Sequence, residues 1–372
     1  MSKPYRIISV VGARPNFMKV APIHRAFQRY APEFEHHIVH TGQHYDAAMS
    51  DAFFQDLEMP KPTVFLGIGS GSHAEQTAKV MIAFEQTCLE LKPDIVIVVG
   101  DVNSTIACAL VAVKLGIKTV HVEAGLRSYD RSMPEEINRI ATDAICDYWF
   151  TTEESGNIIL KESGFPEKNI FFVGNTMIDS LHFAMPKANE STILKELDIQ
   201  PKQYGLVTMH RPSNVDEPEQ LKSLLEILAE ISTDRAIVFP MHPRTSSKIR
   251  EYGFADIIRQ GKQLIITHPK GYIDFLALMK DADFVLTDSG GIQEETTVLG
   301  VPCITARTTT ERPVTVELGT NILIQPNPQA ISKALHDIVH LPRKKGSIPP
   351  LWDGKAAERI AEILVTQCIK AQ

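Results

Sequence analysis

The stretch Ala282-Asp283-Phe284-Val285-Leu286-Thr287-Asp288-Ser289-Gly290-Gly291-Ile292-Gln293-Glu294-Glu295 decides how this chain is read. Its first six residues form a short, largely apolar run of the kind that makes a buried strand. A serine and two glycines then give a turn where a ligand can approach bare backbone, and the residues after them start a helix. A helix start presents N–H groups without intrahelical partners, and with the helix dipole these favour an anion such as phosphate. Glu295, about a turn and a half into that helix, would accept hydrogen bonds from sugar hydroxyls and repel phosphate. A phosphate cradle beside a carboxylate suits a nucleotide better than inorganic phosphate. A turn that merely starts a helix is the competing reading.

The same strand–turn–helix rhythm runs through the rest of the chain. Strands are expected over residues 6–11, 37–40, 95–99, 119–122, 148–151 and 170–173, with helices over 15–30, 74–91, 104–115, 134–146 and 156–162. A polar, charge-rich break over 186–203 follows, and strands restart at 204–209, 236–241, 264–267, 284–287, 303–305 and 322–324. Near-continuous hydrophobicity at crossover spacing means buried parallel sheets covered by helices on both faces. The expectation is an α/β protein of two doubly wound, Rossmann-like domains, 1–185 and 186–355, with an inter-domain cleft as the active site. A C-terminal helix within 356–372 should pack back. A chain of 372 residues is too long for one typical core and suits two.

Composition narrows the function classes. A formal net charge of −7 argues against non-specific nucleic-acid binding. No apolar run approaches the roughly 20 residues that span a bilayer, and the first residues enter a strand too early for a signal peptide. Five cysteines (Cys88, Cys108, Cys146, Cys303, Cys368), odd in number and scattered, fit reduced cytoplasmic thiols better than a disulfide framework or a zinc site. The segment 67–72 imitates a dinucleotide fingerprint but lacks its last glycine and its acidic partner, and reads as a loop. With no metal or Walker pattern, neither cofactor nor metal is expected.

In open parallel sheets, ligands sit beyond the carboxyl ends of the strands. Those ends here carry Gly12-Ala13-Arg14-Pro15 with Lys19, Thr41-Gly42-Gln43-His44, Gly100-Asp101, Glu123-Ala124-Gly125-Leu126-Arg127, His210-Arg211, His242-Pro243-Arg244 and the Ser289 turn. Arg14 and Lys19 could meet diphosphate oxygens. Asp101 could act on a substrate or cap the helix expected from Ser104. Glu123, directly after an apolar strand, needs a partner if buried, either a ligand or an arginine such as Arg127. Glu135 and Glu136 also sit where acids favour a helix start. His210 is the acid/base candidate among the histidines; ligand contact and capping compete for His242 and Arg244.

These residues together resemble the non-hydrolysing UDP-N-acetylglucosamine 2-epimerase family. The match adds His121-Val122 before Glu123, the run Pro134 to Arg139, Asp288 to Glu295, and Thr310-Glu311-Arg312-Pro313. Single pieces are weak, but their order and spacing are highly specific. The resemblance implies a GT-B architecture, a homodimer, and interconversion of UDP-GlcNAc and UDP-ManNAc without cofactor or metal, by elimination of UDP to a glycal and re-addition. It implies Asp101, Glu123 and Glu135 as catalytic carboxylates, with Arg14, Lys19 and His210 holding or protonating the leaving diphosphate. It further implies Lys270 and Phe275 beside the uracil, Ser289, Gly290 and Gly291 on phosphate, Glu295 on the ribose, and Arg139, His242, Arg244 and Arg312 in the substrate site.

Some positions depart from the family pattern. Lys270-Gly271 stands where many relatives carry Gln-Glu, and Val314 where an acid often follows Glu-Arg-Pro. Tyr45-Asp46 break the pattern around Gln43 through which many bacterial members bind an activating second UDP-GlcNAc. The segment 128–133 is about two residues shorter than in common members and is closer to the branch that epimerises UDP-2,3-diacetamido-2,3-dideoxy-glucuronate. That activity is the first alternative, and a GT-B glycosyltransferase the second.

Overall fold

The structure is a computed structural model that describes residues 4–30, 33–43 and 56–369. His44, Tyr45 and Asp46 lie outside the described residues. Among the described residues, β1 (Tyr5–Val11), β2 (Phe34–His40), β3 (Val64–Phe65), β4 (Ile95–Val99), β5 (Lys118–Val122), β6 (Tyr148–Thr151) and β7 (Ile170–Phe172) form one sheet in the order β3-β2-β1-β4-β5-β6-β7. A second sheet holds β8 (Tyr204–Thr208), β9 (Ala236–Pro240), β10 (Leu264–Thr267), β11 (Phe284–Thr287), β12 (Cys303–Ala306) and β13 (Asn321–Ile324), in the order β10-β9-β8-β11-β12-β13. Every pairing in both sheets is parallel. In each sheet the strand order reverses beside its first strand, between β1 and β4 and between β8 and β11. Such reversals open a crevice at the carboxyl ends, where doubly wound sheets bind ligands.

The sequence accounts for these elements directly. All five residues of β4, Ile-Val-Ile-Val-Val, are buried, as a central parallel strand covered on both faces requires. Helix Pro218–Ile231 starts on a proline and buries Leu221, Leu224, Leu225 and Leu228 at helical spacing. Those leucines join Val207, Phe239 and Phe284 in the core of the second sheet. In the first sheet, Val80, Phe84 and Cys88 of helix His73–Leu91 pack with Ile8, Val96 and Val98. The two-residue β3 has no expectation from sequence because it is too short for a period.

The chain divides into two compact units, Met1–Phe183 with Pro350–Gln372, and Ala184–Pro349. The stretch expected as a polar break from 186 is instead helical through Glu190, and again over Ile193–Glu196. Pro186 is exposed, while Ala184, Ala188 and Ile193 are buried, so a buried apolar stripe outweighs the proline's missing donor. Residues 350–372 group with the first unit for a visible reason. Trp352 is buried and donates its indole N–H to the Thr152 carbonyl at 2.8 Å. Asp179 accepts from the Ala356 and Ala357 N–H groups at 3.1 and 2.7 Å and so caps helix Ala356–Ile363, which packs on helix Arg14–Gln28. The helix expected as far as 371 leaves α geometry after Ile363 and continues as a π-helix over Leu364–Ile369. No helix among the described residues is long and apolar enough to cross a membrane.

Candidate functional site

In the first unit, the ends of β1, β4 and β5 bring the expected residues together. Gly12 and Ala13 donate their N–H groups to Asn16 Oδ1 at 3.0 and 2.9 Å, and Asn16 Nδ2 donates to the Val99 carbonyl at 3.2 Å. The end of β1 is thus tied to the end of β4. A Cβ on Gly12 would stand 2.9 Å from Thr41 Oγ1, so only glycine passes there. Arg14 begins helix Arg14–Gln28; its side chain lies outside the described set.

Lys19, further along that helix, forms an ion pair with Glu123, and both side chains are buried. This answers the question of the Glu123 partner. It is Lys19, while Arg127 instead meets Asp143 at 2.6 Å. Either charge buried alone would cost several kcal/mol, about what mutual pairing must offset. Two backbone features make room for the pair. Glu123 itself lies in the left-handed region at φ 72°, and Gly100 at φ 67° has no Cβ, which would stand 3.0 Å from Lys19 Nζ.

Asp101 does not cap the helix that follows it. That helix, Asn103–Lys114, has Val102 at its N-cap, and the Asp101 carboxylate receives Arg139 Nη2 at 2.6 Å. Arg139 is buried and also pairs with Glu136. Glu136 in turn accepts from Ser128 N at 3.0 Å and Tyr129 N at 3.0 Å, so it anchors the start of the short 128–133 loop. Glu135, one residue earlier, is exposed and borders an open pocket of about 280 Å³ with Gln43, His73, Asn103 and Asn138. The adjacent pair therefore splits, with Glu136 turned inward to structure and Glu135 exposed at the pocket.

In the second unit, Asp288 organises the crevice between β8 and β11. Its Oδ2 accepts from His210 N, Arg211 N and Asn214 Nδ2 at 2.9, 2.8 and 2.9 Å, and its Oδ1 lies 2.9 Å from His210 Nδ1. Burial alone would raise this carboxyl's pKa; the His210 contact and the other donors outweigh it and hold the group below its usual range. With Nδ1 directed at Asp288, Nε2 of the partly exposed His210 ring is the nitrogen left for a substrate. The His242 ring lies 5.3 Å away, and its Nδ1 accepts from Arg244 N at 3.1 Å, capping helix Pro243–Tyr252. Arg244 Nε reaches Asp216 Oδ1 at 2.8 Å, and its fork closes on the other oxygen.

Ser289 is the N-cap of helix Gly290–Leu299 and makes no side-chain cap bond. Gly290 lies over Arg312 and Glu311. A Cβ there would come within 3.2 Å of Arg312 Nη1 and 3.1 Å of Glu311 Oε1. Arg312 is buried between Glu294 Oε1 at 2.6 Å and Glu311 Oε1 at 2.7 Å, and Arg307 holds the other Glu311 oxygen at 2.8 Å. This charged layer lies beneath the turn. Glu295 is buried, and one of its oxygens accepts from the Tyr272 hydroxyl at 2.8 Å. Tyr272 and the half-buried Phe275 share helix Tyr272–Asp281, and the partly buried Lys270 lies just before it.

The family model for UDP-N-acetylglucosamine 2-epimerase matches residues 26–365. The chain belongs to that family. It is 45% identical over 362 residues to UDP-N-acetylglucosamine 2-epimerase of Methanocaldococcus jannaschii, covering 95% of this chain and 97% of that protein. The crystal structure of M. jannaschii UDP-GlcNAc 2-epimerase in complex with UDP-GlcNAc and UDP superposes with a TM-score of 0.88 at 43% identity, covering 97% of this chain and 99% of the other. A Pseudomonas aeruginosa relative, UDP-2,3-diacetamido-2,3-dideoxy-D-glucuronate 2-epimerase, is 38% identical over 365 residues, 96% of this chain and 99% of that one. The family is one of isomerases, and the fold is GT-B-like with two Rossmann-like units.

Sequence reasoning assigned no role to several residues that carry this geometry, although His121, Asp288, Glu294 and Glu311 stood inside the family motifs. Asn16, His121, Asp143, Asp288, Glu294 and Glu311 were all visible. Yet a buried polar residue declares its partner only once strands from distant parts of the chain are side by side. The single available signal was Asp288, a buried-strand terminus immediately before a phosphate-type turn.

Proposed function

We propose that this protein is a non-hydrolysing UDP-GlcNAc 2-epimerase interconverting UDP-GlcNAc and UDP-ManNAc. The observation that carries the reading is the buried Glu123–Lys19 pair one strand from Asp101. The Lys19 ammonium offsets the cost of burying the Glu123 carboxylate, and a carboxylate so placed suits a base acting on a weak carbon acid. In the forward step a base takes the C2 proton, the C1–O bond to UDP breaks, and a C1–C2 double bond forms. The return step delivers a proton to the opposite face of C2 while a UDP oxygen rejoins C1. Two faces require more than one acid/base group, and Asp101, Glu123 and Glu135 supply them.

The second unit grips UDP through both steps. The N–H groups of the first turn at Ser289, Gly290 and Gly291 take the diphosphate, His210 Nε2 stabilises or protonates it with Asp288 behind, and Glu295 takes the ribose. Arg14, His242 and Arg244 complete the contacts to substrate, with Lys270 and Phe275 at the uracil. Lys19, Arg139 and Arg312 contribute by holding carboxylates in place. We read the enzyme as a cytoplasmic homodimer feeding cell-surface polysaccharide synthesis. Four of its five cysteines, Cys88, Cys108, Cys146 and Cys303, are free and buried, and burial raises the pKa of each of these thiols, that of Cys303 to about 11, which disfavours the nucleophilic thiolate.

Proton NMR with UDP-GlcNAc in D2O and no acceptor tests the reading. Deuterium at C2 together with UDP-ManNAc supports it, and free ManNAc would mean a hydrolysing enzyme. The short 128–133 loop, tied down by Glu136, favours a second reading as the 2-epimerase of UDP-2,3-diacetamido-2,3-dideoxy-glucuronate. The same experiment with that sugar decides between them. Exchange in neither would sink both.

A further inference from the structure

We infer that His121 and Asp143 are a positioning pair that sets the acid/base carboxylates of the first unit, an inference that rests on the function proposed above. His121 is fully buried on β5, two residues before Glu123. Its Nδ1 lies 2.7 Å from Asp143 Oδ1 and its Nε2 lies 2.9 Å from the Gly100 carbonyl oxygen. Both partners are acceptors. The Arg127 guanidinium at 2.6 Å and Gly125 N at 3.2 Å on its other oxygen hold Asp143 as the carboxylate, and so as an acceptor. Each ring nitrogen thus faces an acceptor, and this geometry calls for a hydrogen on both.

The three segments this network joins are those that bear the carboxylates. Through the Gly100 carbonyl it holds the turn that leads into Asp101. Through Gly125 N and Arg127 it holds the loop that leaves Glu123, and that loop has one path, since Gly125 sits at φ 80° and a Cβ on it would run into the Gly156 carbonyl. Asp143 itself belongs to helix Pro134–Ile145, which carries Glu135 and Arg139. A fourth tie, Trp149 Nε1 to the Asp143 carbonyl at 2.9 Å, fixes that helix to β6.

Burying a histidine, a guanidinium and a carboxylate together is an expensive way to pack a sheet that apolar residues would fill as well. Charge-assisted hydrogen bonds give in return a definite geometry. Three carboxylates that must serve two faces of one carbon need that geometry, since a 1 Å misplacement can cost about 100-fold in rate. His121 and Asp143 touch no reacting atom in this scheme. They act through Asp101, Glu123 and Glu135.

The first test uses the wild-type chain with 15N-labelled histidine. Two protonated ring nitrogens on His121 at neutral pH are expected, and a ring with one bare nitrogen would overturn the inference even if every variant failed to fold. The second uses His121→Asn, Asp143→Asn and the double variant. Each single change should lower kcat for C2 exchange by about 100-fold with KM and UDP affinity moved by about twofold at most, and the double should be no worse than the worse single. Unchanged kcat, losses that multiply, or losses confined to KM or UDP binding would refute it. Wild-type enzyme inactive on both UDP-sugars would sink the function instead, leaving the ring-nitrogen result to stand separately.

Discussion

Replacing Lys19 with methionine removes the charge that pairs with Glu123 while keeping most of the side-chain volume. The carboxylate is left in a pocket where both members of the pair show only 6% exposure. Breaking a buried pair from one side costs about 3–5 kcal/mol. The enzyme can escape part of that cost by protonating Glu123, which raises the pH at which the base becomes available. The acid limb of kcat/KM for C2 exchange should therefore move upward, and activity at neutral pH should fall sharply and recover partly in alkali. Thermal unfolding provides the control. Lys19→Met should lower Tm, and Lys19→Met with Glu123→Gln should restore most of it without restoring exchange, because two neutral groups no longer leave a bare charge. An acid limb that stays in place, with equal stability loss in the single and double variants, would refute the assignment of Lys19 as the counter-ion of the base.

Four other outcomes follow from the same structure. Asp288→Ala leaves the part-buried His210 and Arg211 N–H groups without their acceptor, at about 1 kcal/mol each, and releases Nδ1 of His210; urea unfolding and exchange kinetics should both register the loss, and normal kcat would remove His210 from the mechanism. The lowered pKa of Asp288 means its contribution is complete above the ordinary carboxylate range and disappears as pH falls through the lowered value, so the stability lost on Asp288→Asn should shrink in acid. Asp179 has the opposite sign: burial, only partly countered by the Ala357 and Ala356 N–H groups, pushes it up to about 6, so ionising it costs stability as pH rises from the ordinary carboxylate range to that value. Asp179→Asn should raise Tm at pH 8 and change it little at pH 4, and a lower Tm at pH 8 would show that the charge on this cap is favourable. Finally, Gly205→Ala would place a Cβ 2.6 Å from Phe284 Cε2, an overpacking cost of about 1–3 kcal/mol that Phe284→Leu in the same chain should relieve; a wild-type Tm for the single variant would mean the two strands part easily.

Much of this molecule is legible in one dimension. Alternation of short apolar runs with amphipathic stretches is a local property, and it forces parallel sheets because only crossover helices fit between such strands. The phosphate turn from Ser289 to Gly291 is also local: a strand end, two glycines and a helix start are contiguous in the chain. So are the strand-end carboxylates, since a doubly wound sheet always presents its carboxyl edge to ligand. What contiguity cannot show is which charges spend themselves on one another. Lys19 and Glu123 meet because β1 lies beside β4 and β4 beside β5, and Asp288 reaches His210 because β11 lies beside β8. Arg139 and Arg312 looked like ligand contacts and proved to be buried among carboxylates. Sequence alone determined the fold class and the set of ionisable groups at its edges; only the tertiary structure sorted them into pairs, because the strand order that makes them neighbours depends on the packing of the whole sheet.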